Sequence, residues 1–394
     1  MPGLIDGIFS GISTGSVLLL AALGLSIVFG LMGVINMAHG ELMMLGAYTT
    51  VMVQGWLQET PLAGGYVFVA LIVAFVVTAL FGLLLERGVI RFLYGRPLET
   101  LLATWGVSLM LQEFVRSVSW QLLFGIGIFC LLFFGALFAG RLAQLPTRLS
   151  QTWLWVFRGL MAVLSGVIAA VASFLLHGAL VDRTQRDFVR PWFGAQNQNV
   201  SAPRWLSEGL KLTFSDGEIQ LSYVRISIII LTIACLLGVY FFLNRTNWGL
   251  KIRAVTQNRN MSACLGIPTA QVDALTFAIG SGLAGIAGCA VSFLGPVGPN
   301  TGQNYIVDTF MVVVVGGVGN LVGSIIAALG IGVLTYLIGS NTILNAILPP
   351  NLAQQTAEFF STSMAQVIVF ALIVIFLQIR PAGLFPQKGR TAET

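Results

Sequence analysis

Four acids stand in or beside long apolar runs of this chain: Glu41, Glu113, Asp273 and Asp308. A carboxylate in a bilayer is costly, and one that faces a bundle interior or a water-filled cavity marks a solute or ion path. The structural alternative is pairing or snorkelling at helix ends, since each acid falls within a turn or two of an expected membrane interface. No chain of acids suggests a proton relay. Near Glu41 the apolar run is broken by Gly30, Gly33, Asn36, His39, Gly40 and Gly46, and over 316–332 by Gly316, Gly317, Gly319, Asn320, Gly323, Gly330 and Gly332. Irregular backbone at membrane depth survives only where protein or water satisfies its polar groups, and paired breaks in two halves point to a transport route. The other reading is two tight turns between packed helices. The residues expected along the route are Asn36, His39, Glu41, Gln303, Asn304 and Asn320, with capping of a neighbouring helix end as the alternative role for His39.

Catalytic patterns are poorly served. Gly11-Ile12-Ser13-Thr14-Gly15 fits the nucleophile-elbow spacing but lies in an apolar helix without the strand-turn-helix context. Gly280-Ser281-Gly282-Leu283-Ala284-Gly285 fits the dinucleotide spacing, yet no strand precedes it and Gly288 continues the stripe, so it reads as a helix-packing face. Two histidines, His39 and His177, and four cysteines without a Cys-x-x-Cys pair give no metal site, disulfide framework or cofactor. None of the three lysines follows a glycine, so the phosphate-binding loop of an ATPase is missing. Any ATP used in transport is hydrolysed on another chain.

Composition sets the environment of these residues. Of 394 residues, 56% are hydrophobic and 9% charged, against about 25% charged in soluble domains. Stretches without Asp, Glu, Lys or Arg run over 7–40, 60–85, 117–140, 159–181, 226–244, 274–307, 309–357 and 359–379. About 20 apolar residues cross a bilayer. The chain is therefore an all-α, polytopic helical membrane protein, with spans expected near 7–35, 42–57, 63–86, 99–117, 122–140, 159–181, 223–243, 270–294, 307–319, 321–339 and 364–380. No cleavable signal sequence is expected. The first domain segment is 1–118. A transmembrane hairpin inserts at 119–192, an external loop at 193–225, the second part of the domain at 226–380, and a cytoplasmic tail at 381–394.

Orientation follows from Lys and Arg, which concentrate in short cytoplasmic loops. Of 20, 13 lie in four segments of one parity: Arg87, Arg91 and Arg96; Arg141, Arg148 and Arg158; Arg245, Lys251, Arg253 and Arg259; Arg380, Lys388 and Arg390. The N-terminus is expected outside and the C-terminus inside. A net charge of +5 spread over separate loops reflects this bias and no nucleic-acid partner.

The segment 244–272 is the most informative stretch. Thr256 can cap a short helix whose Met261, Cys264 and Leu265 share one face, ended by Gly266 and Pro268. That face has nothing of its own to cover it, so a partner groove, neighbouring loops or the lipid interface must.

INMAHGELMMLGAY (Ile35 to Tyr48), LLATWGVSLMLQE (Leu101 to Glu113), RAVTQNRNMSACLGI (Arg253 to Ile267), MVVVVGGVGNLVGS (Met311 to Ser324) and RPAGLF (Arg380 to Phe385) resemble the permease subunits of branched-chain amino acid and urea ABC importers. In detail, GELMMLGAYTT, AVTQN and NTGQNYIVDTFMVVVVGGVGN look more like the urea-type permease. The resemblance implies about 9 core spans plus the inserted two-helix hairpin, in a bacterial cytoplasmic membrane. It also implies a second permease, two cytosolic ABC ATPases and an external solute-binding protein as partners, beside membrane lipid. It puts Arg253 to Ile267 against an ATPase, with Arg253, Gln257, Asn258, Met261, Ala263, Leu265 and Gly266 as coupling residues, although the family's Glu-Ala-Ala pattern lacks its Glu here. The function expected is translocation of a small neutral polar solute, urea foremost. The alternatives are an amino acid permease, a passive urea or amide channel, and an ion-coupled carrier.

Overall fold

A computed structural model of the chain describes residues 2–142, 151–181, 191–214, 217–340 and 362–385. Each expected span is a helix. They are α1 (Pro2–Met32), α2 (His39–Leu57), α3 (Tyr66–Gly88), α4 (Pro97–Ser117), α5 (Trp120–Leu142), α6 (Gln151–Val181), α7 (Tyr223–Arg245), α10 (Thr269–Ser292), α11 (Thr301–Gly316), α12 (Leu321–Gly339) and α13 (Thr362–Ile379), with α8 (Asn247–Gln257) and α9 (Arg259–Cys264) between α7 and α10. Six helices are long and apolar enough to cross a membrane among the described residues. At about 1.5 Å per residue, the 16 residues of α11 reach only about 24 Å.

Two compact units divide the chain. In the unit Leu111–Gln196, α5 and α6 pack as a hairpin, with Gln121 Nε2 donating to Ser173 O at 3.1 Å and the rings of Trp120 and Trp192 4.9 Å apart. Of the basic loop expected between these helices, 143–150 with Arg148 lies outside the described residues, as do 182–190, 341–361 and 386–394, while Arg141 and Arg158 fall within α5 and α6.

The other unit, Met1–Met110 with Asn197–Thr394, has α1 and α10 at its centre, antiparallel and almost wholly buried. α3 packs along α10 as α12 packs along α1, while α2 and α11 lie between them. This is the pattern of an inverted repeat, in which α1, α2 and α3 answer to α10, α11 and α12. Lipid offers no hydrophobic drive for helix association, so close backbone approach must supply the attraction. The stripe from Gly280 to Gly288 does this on three sides. Gly280 meets α1 at Gly24 and Val28, Gly285 meets α3 at Ala74 and Thr78, and Gly288 meets α2 at Met43 and Ala47. Gly11 and Gly15 likewise seat α12.

The ends of α1, α3 and α7 that carry or adjoin Arg87 and Arg245 lie together with the segment that follows α13 and Arg380, here called the basic end. At the far end, the loop expected over 193–225 contains one turn of helix at Arg204–Ser207 and a β-hairpin. Its strands, β1 (Gly209–Phe214) and β2 (Gly217–Ser222), pair antiparallel with Gly209 opposite Ser222. Tyr66 Oη donates to Ser201 O at 2.6 Å and Trp205 Nε1 to Gly64 O at 2.6 Å, tying this loop to the start of α3.

Candidate transport route and coupling surface

The break after α1 is more than a turn. The chain leaves α1 at Met32, runs back into the bundle over 33–38, and starts α2 at His39, whose Nε2 donates to Ala21 O at 3.0 Å. Ala21 lies eleven residues before Met32, Ser108 eleven residues after Pro97 in α4, and Gly280 eleven residues after Thr269 in α10. At 1.5 Å per residue each is about 16 Å from the basic end of its helix. Ser108 Oγ donates to Glu41 Oε1 at 3.0 Å, and Gly24 packs against both Gly280 and His39. Three helices therefore measure the same depth, and α2 begins there, about 16 Å inside the bundle from the basic end. α11 begins there too, because Gly302 touches Gly40 backbone to backbone. The two helices thus meet N-terminus to N-terminus and depart toward opposite ends.

Asn36, His39 and Glu41 hold this junction from within. All three are buried. Asn36 Oδ1 accepts from Ala38 N at 3.1 Å, and Met37 N donates to Thr104 Oγ1 at 3.1 Å, so the irregular backbone finds partners in the protein. Since a carbonyl can only accept, the proton of His39 sits on Nε2; Nδ1 has no partner among the described residues. Glu41, in the first turn of α2, also places its charge where the helix dipole favours it. Asn320 stands apart from these at the basic end. Its Oδ1 accepts from Val322 N at 3.1 Å and Gly323 N at 3.2 Å, capping α12, and Gly317 turns the chain at φ +101°.

Gln303 and Asn304 instead face an open cavity of about 1000 Å³. Its wall on α11 is Gln303, Asn304, Val307, Asp308 and Met311, which the helical period puts on one face, together with Tyr305 beside them. Thr14 and Leu18 of α1, Thr335 and Tyr336 of α12, and Gln366 and Phe370 of α13 close the other sides. Tyr336 is shared with a smaller polar chamber of about 280 Å³ toward the far end, lined also by Asp6, Glu208 and Arg225. The sequence-derived route residues thus fall into three places: a sealed junction, a helix cap and a cavity wall.

The segment 244–272 folds as two short helices instead of one. Thr246 caps α8, its Oγ1 accepting from Gly249 N at 3.0 Å, and Asn258 caps α9, its Oδ1 accepting from Met261 N at 2.9 Å. Thr256 is not a cap. It lies inside α8 and donates to Ile252 O at 2.9 Å, because Asn258 sits in the extended conformation that a cap requires and interrupts the helix there. α9 has six residues and ends at Gly266 as expected, with φ +80°, Ile267 N donating to Ser262 O at 3.1 Å and Gly266 N to Ala263 O at 3.0 Å. Met261 and Leu265 are 59% and 76% exposed, and Gln257 and Ala263 are exposed beside them. Arg253 Nη1 donates to Asn244 Oδ1 at 3.3 Å. Ile252 and Val255 anchor the hairpin against Val272 and Leu31.

A contact not foreseen from the sequence ties this hairpin to the bundle. Arg259 Nη2 lies 2.6 Å from Asp273 Oδ2, off the line of a well-formed N–H···O bond, and its guanidinium is 4.7 Å from the centre of the Tyr94 ring. Tyr94 Oη donates to Glu86 Oε1 at 3.1 Å. Burial, then the charges of Asp273 and Glu86, push the Tyr94 phenol well above its ordinary range, so it remains a donor. Asp273 and Glu113 are thus paired at helix ends, the latter with Arg116 at 2.6 Å.

The family described as "Branched-chain amino acid transport system / permease component" matches residues 7–122 and 116–377. The high-affinity branched-chain amino acid transport system permease protein LivH of Escherichia coli (strain K12) is 24% identical over 380 residues, covering 95% of this chain and 93% of that protein. The corresponding permease protein BraD of Pseudomonas aeruginosa is 25% identical over 382 residues, with 95% and 93% covered. A probable branched-chain amino acid transport permease protein LivH of Methanocaldococcus jannaschii is 30% identical over 112 residues, 27% of this chain and 36% of that one. No solved structure gives a significant match.

Proposed function

This chain belongs to the permease-component family of branched-chain amino acid transport systems, and we propose that it carries an aliphatic amino acid along the cavity bounded by α1, α11, α12 and α13. It is a transport subunit of the cytoplasmic membrane and not an enzyme. ATPases and a solute-binding protein are the partners that membership in such a family implies. The second permease, the pairing of two ATPases and the orientation with the basic end in the cytoplasm belong to this proposal.

The observation that carries the substrate reading is the mixed wall of the cavity. Asn304, Gln303, Thr14 and Asp308 offer polar groups for a zwitterion, and Leu18, Val307, Met311 and Phe370 offer surface for a branched side chain. Sites for small molecules combine a largely apolar wall with a few convergent polar groups in this way. Urea, the solute expected from sequence details, gains no support from the names of the relatives.

The hairpin of α8 and α9 is the surface on which an ATPase would dock. Its support is the exposure of Met261 and Leu265 at the basic end, together with the link from Arg259 to α10 and, through Tyr94, to α3. Movement imposed on the hairpin has a direct path to the two helices beside the α2 junction.

Uptake of labelled leucine and labelled urea by a strain lacking this chain, compared with its parent, tests the reading. Loss of leucine uptake with urea uptake unchanged is expected. The opposite result overturns it.

A further inference from the structure

We infer that Asp308 is the group that recognises the α-ammonium of the transported amino acid, and so decides that this route takes amines with a free positive charge. The inference rests on the amino acid reading above and deepens it. Asp308 is eight residues, about 12 Å, from the end of α11 at the basic end, inside the membrane-spanning part of the bundle. It is half-buried and lines the large cavity. Among the described residues it makes neither an ion pair nor a side-chain hydrogen bond, in contrast to Glu41 with Ser108, Glu113 with Arg116 and Asp273 with Arg259.

An intramembrane carboxylate without a fixed counter-charge is expensive unless a cavity hydrates it or a ligand completes it. The cavity gives Asp308 room for water, and leaves room for such a ligand. The described lining holds no Lys, Arg or His, so Asp308 gives the cavity one sign of charge. Its remaining polar side chains are the amides of Gln303, Asn304 and Gln366 and the hydroxyls of Thr14, Tyr305, Thr335, Tyr336 and Ser340. An ammonium supplies the missing charge as a charge-assisted hydrogen bond, and the neutral amides and hydroxyls suit the carboxylate end of the same zwitterion. On the α11 face, Val307 and Met311 flank Asp308 at one and three residues' distance, next to where an aliphatic side chain would lie. A urea route would need no such acid.

The test uses the whole transporter, this chain with the second permease, the ATPases and the binding protein, in proteoliposomes supplied with ATP and labelled leucine. Asp308→Asn keeps size and shape and removes the charge; Asp308→Glu keeps the charge. The expected result is leucine uptake by the parent complex, a loss of tenfold or more in the initial rate with Asp308→Asn, and a rate within about threefold of the parent with Asp308→Glu. Uptake by Asp308→Asn within twofold of the parent overturns this inference and leaves the amino acid reading standing. If Asp308→Asn loses the second permease on purification while Asp308→Glu retains it, the carboxylate is an interface group and the inference is likewise overturned. Failure of the parent complex to move any amino acid removes the amino acid reading itself, and this inference with it.

Discussion

Arg259 Nη2 lies 2.6 Å from Asp273 Oδ2, a pair in which the cation is 43% exposed and the acid 4%. The arginine belongs to the protruding hairpin and the acid to the buried helix α10, so the pair joins the exposed hairpin to a helix that packs against α2.

Replacing Arg259 by Gln leaves Asp273 buried without its cation. Breaking a fully buried pair costs about 3–5 kcal/mol, and the exposure of Arg259 brings the expectation down to roughly 1–2 kcal/mol. Solute moved per ATP hydrolysed in the reconstituted complex should fall by about fivefold or more while the ATPases still co-purify. An unchanged ratio would remove the link from coupling.

Met261 of α9 and Leu265 at its C-terminal cap are largely exposed among the described residues. Met261→Asp together with Leu265→Asp should abolish co-purification of the ATPases, with membrane insertion and the detergent-extracted monomer yield kept. ATPases recovered in normal amount would show that another surface binds them.

The α2 and α11 junction depends on two glycines. A Cβ on Gly302 would lie 2.6 Å from Gly40 O and 2.7 Å from Glu41 Oε2, whereas one on Gly55, further along α2, meets nothing within 4 Å. Gly302→Ala should destabilise by about 1–3 kcal/mol, as overpacking does. Gly55→Ala should be neutral or slightly stabilising, because alanine favours the helix. Thermal melting of the two variants in detergent separates these outcomes, and equal melting temperatures would refute the close approach.

Much of this architecture could be read from the chain because apolar length and helix punctuation are local signals. Gly266 ends α9 where a left-handed residue is needed, and the glycine stripe from Gly280 is a packing face. The starts of α8 and α9 were harder, since Thr246, Thr256 and Asn258 all have capping side chains and only backbone conformation selects Thr246 and Asn258. Depth was not legible. Asn36 and His39 look the same in sequence whether they line a route or seal a junction, and what separates the cases is the return of the chain to the level of Ala21. Asn320 stands directly before an apolar run, the ordinary position of a cap, and it caps α12. The pairing of Arg259 with Asp273 spans two elements, so spacing alone could not show it. In 209–222 the alternation of Leu210, Leu212 and Phe214 with Lys211 and Thr213 was a strand signal inside a segment expected as loop.

The claim that the cavity along α11 is the route is tested most directly at Asn304, which is exposed on its wall. With Cys130, Cys235, Cys264 and Cys289 replaced and Asn304→Cys introduced, a bulky thiol reagent applied to the reconstituted complex should stop leucine uptake, and leucine with its binding protein and ATP should slow the modification. Asn36→Cys, at the sealed junction, should react far more slowly. Full-rate leucine uptake after complete modification at position 304 would contradict the account.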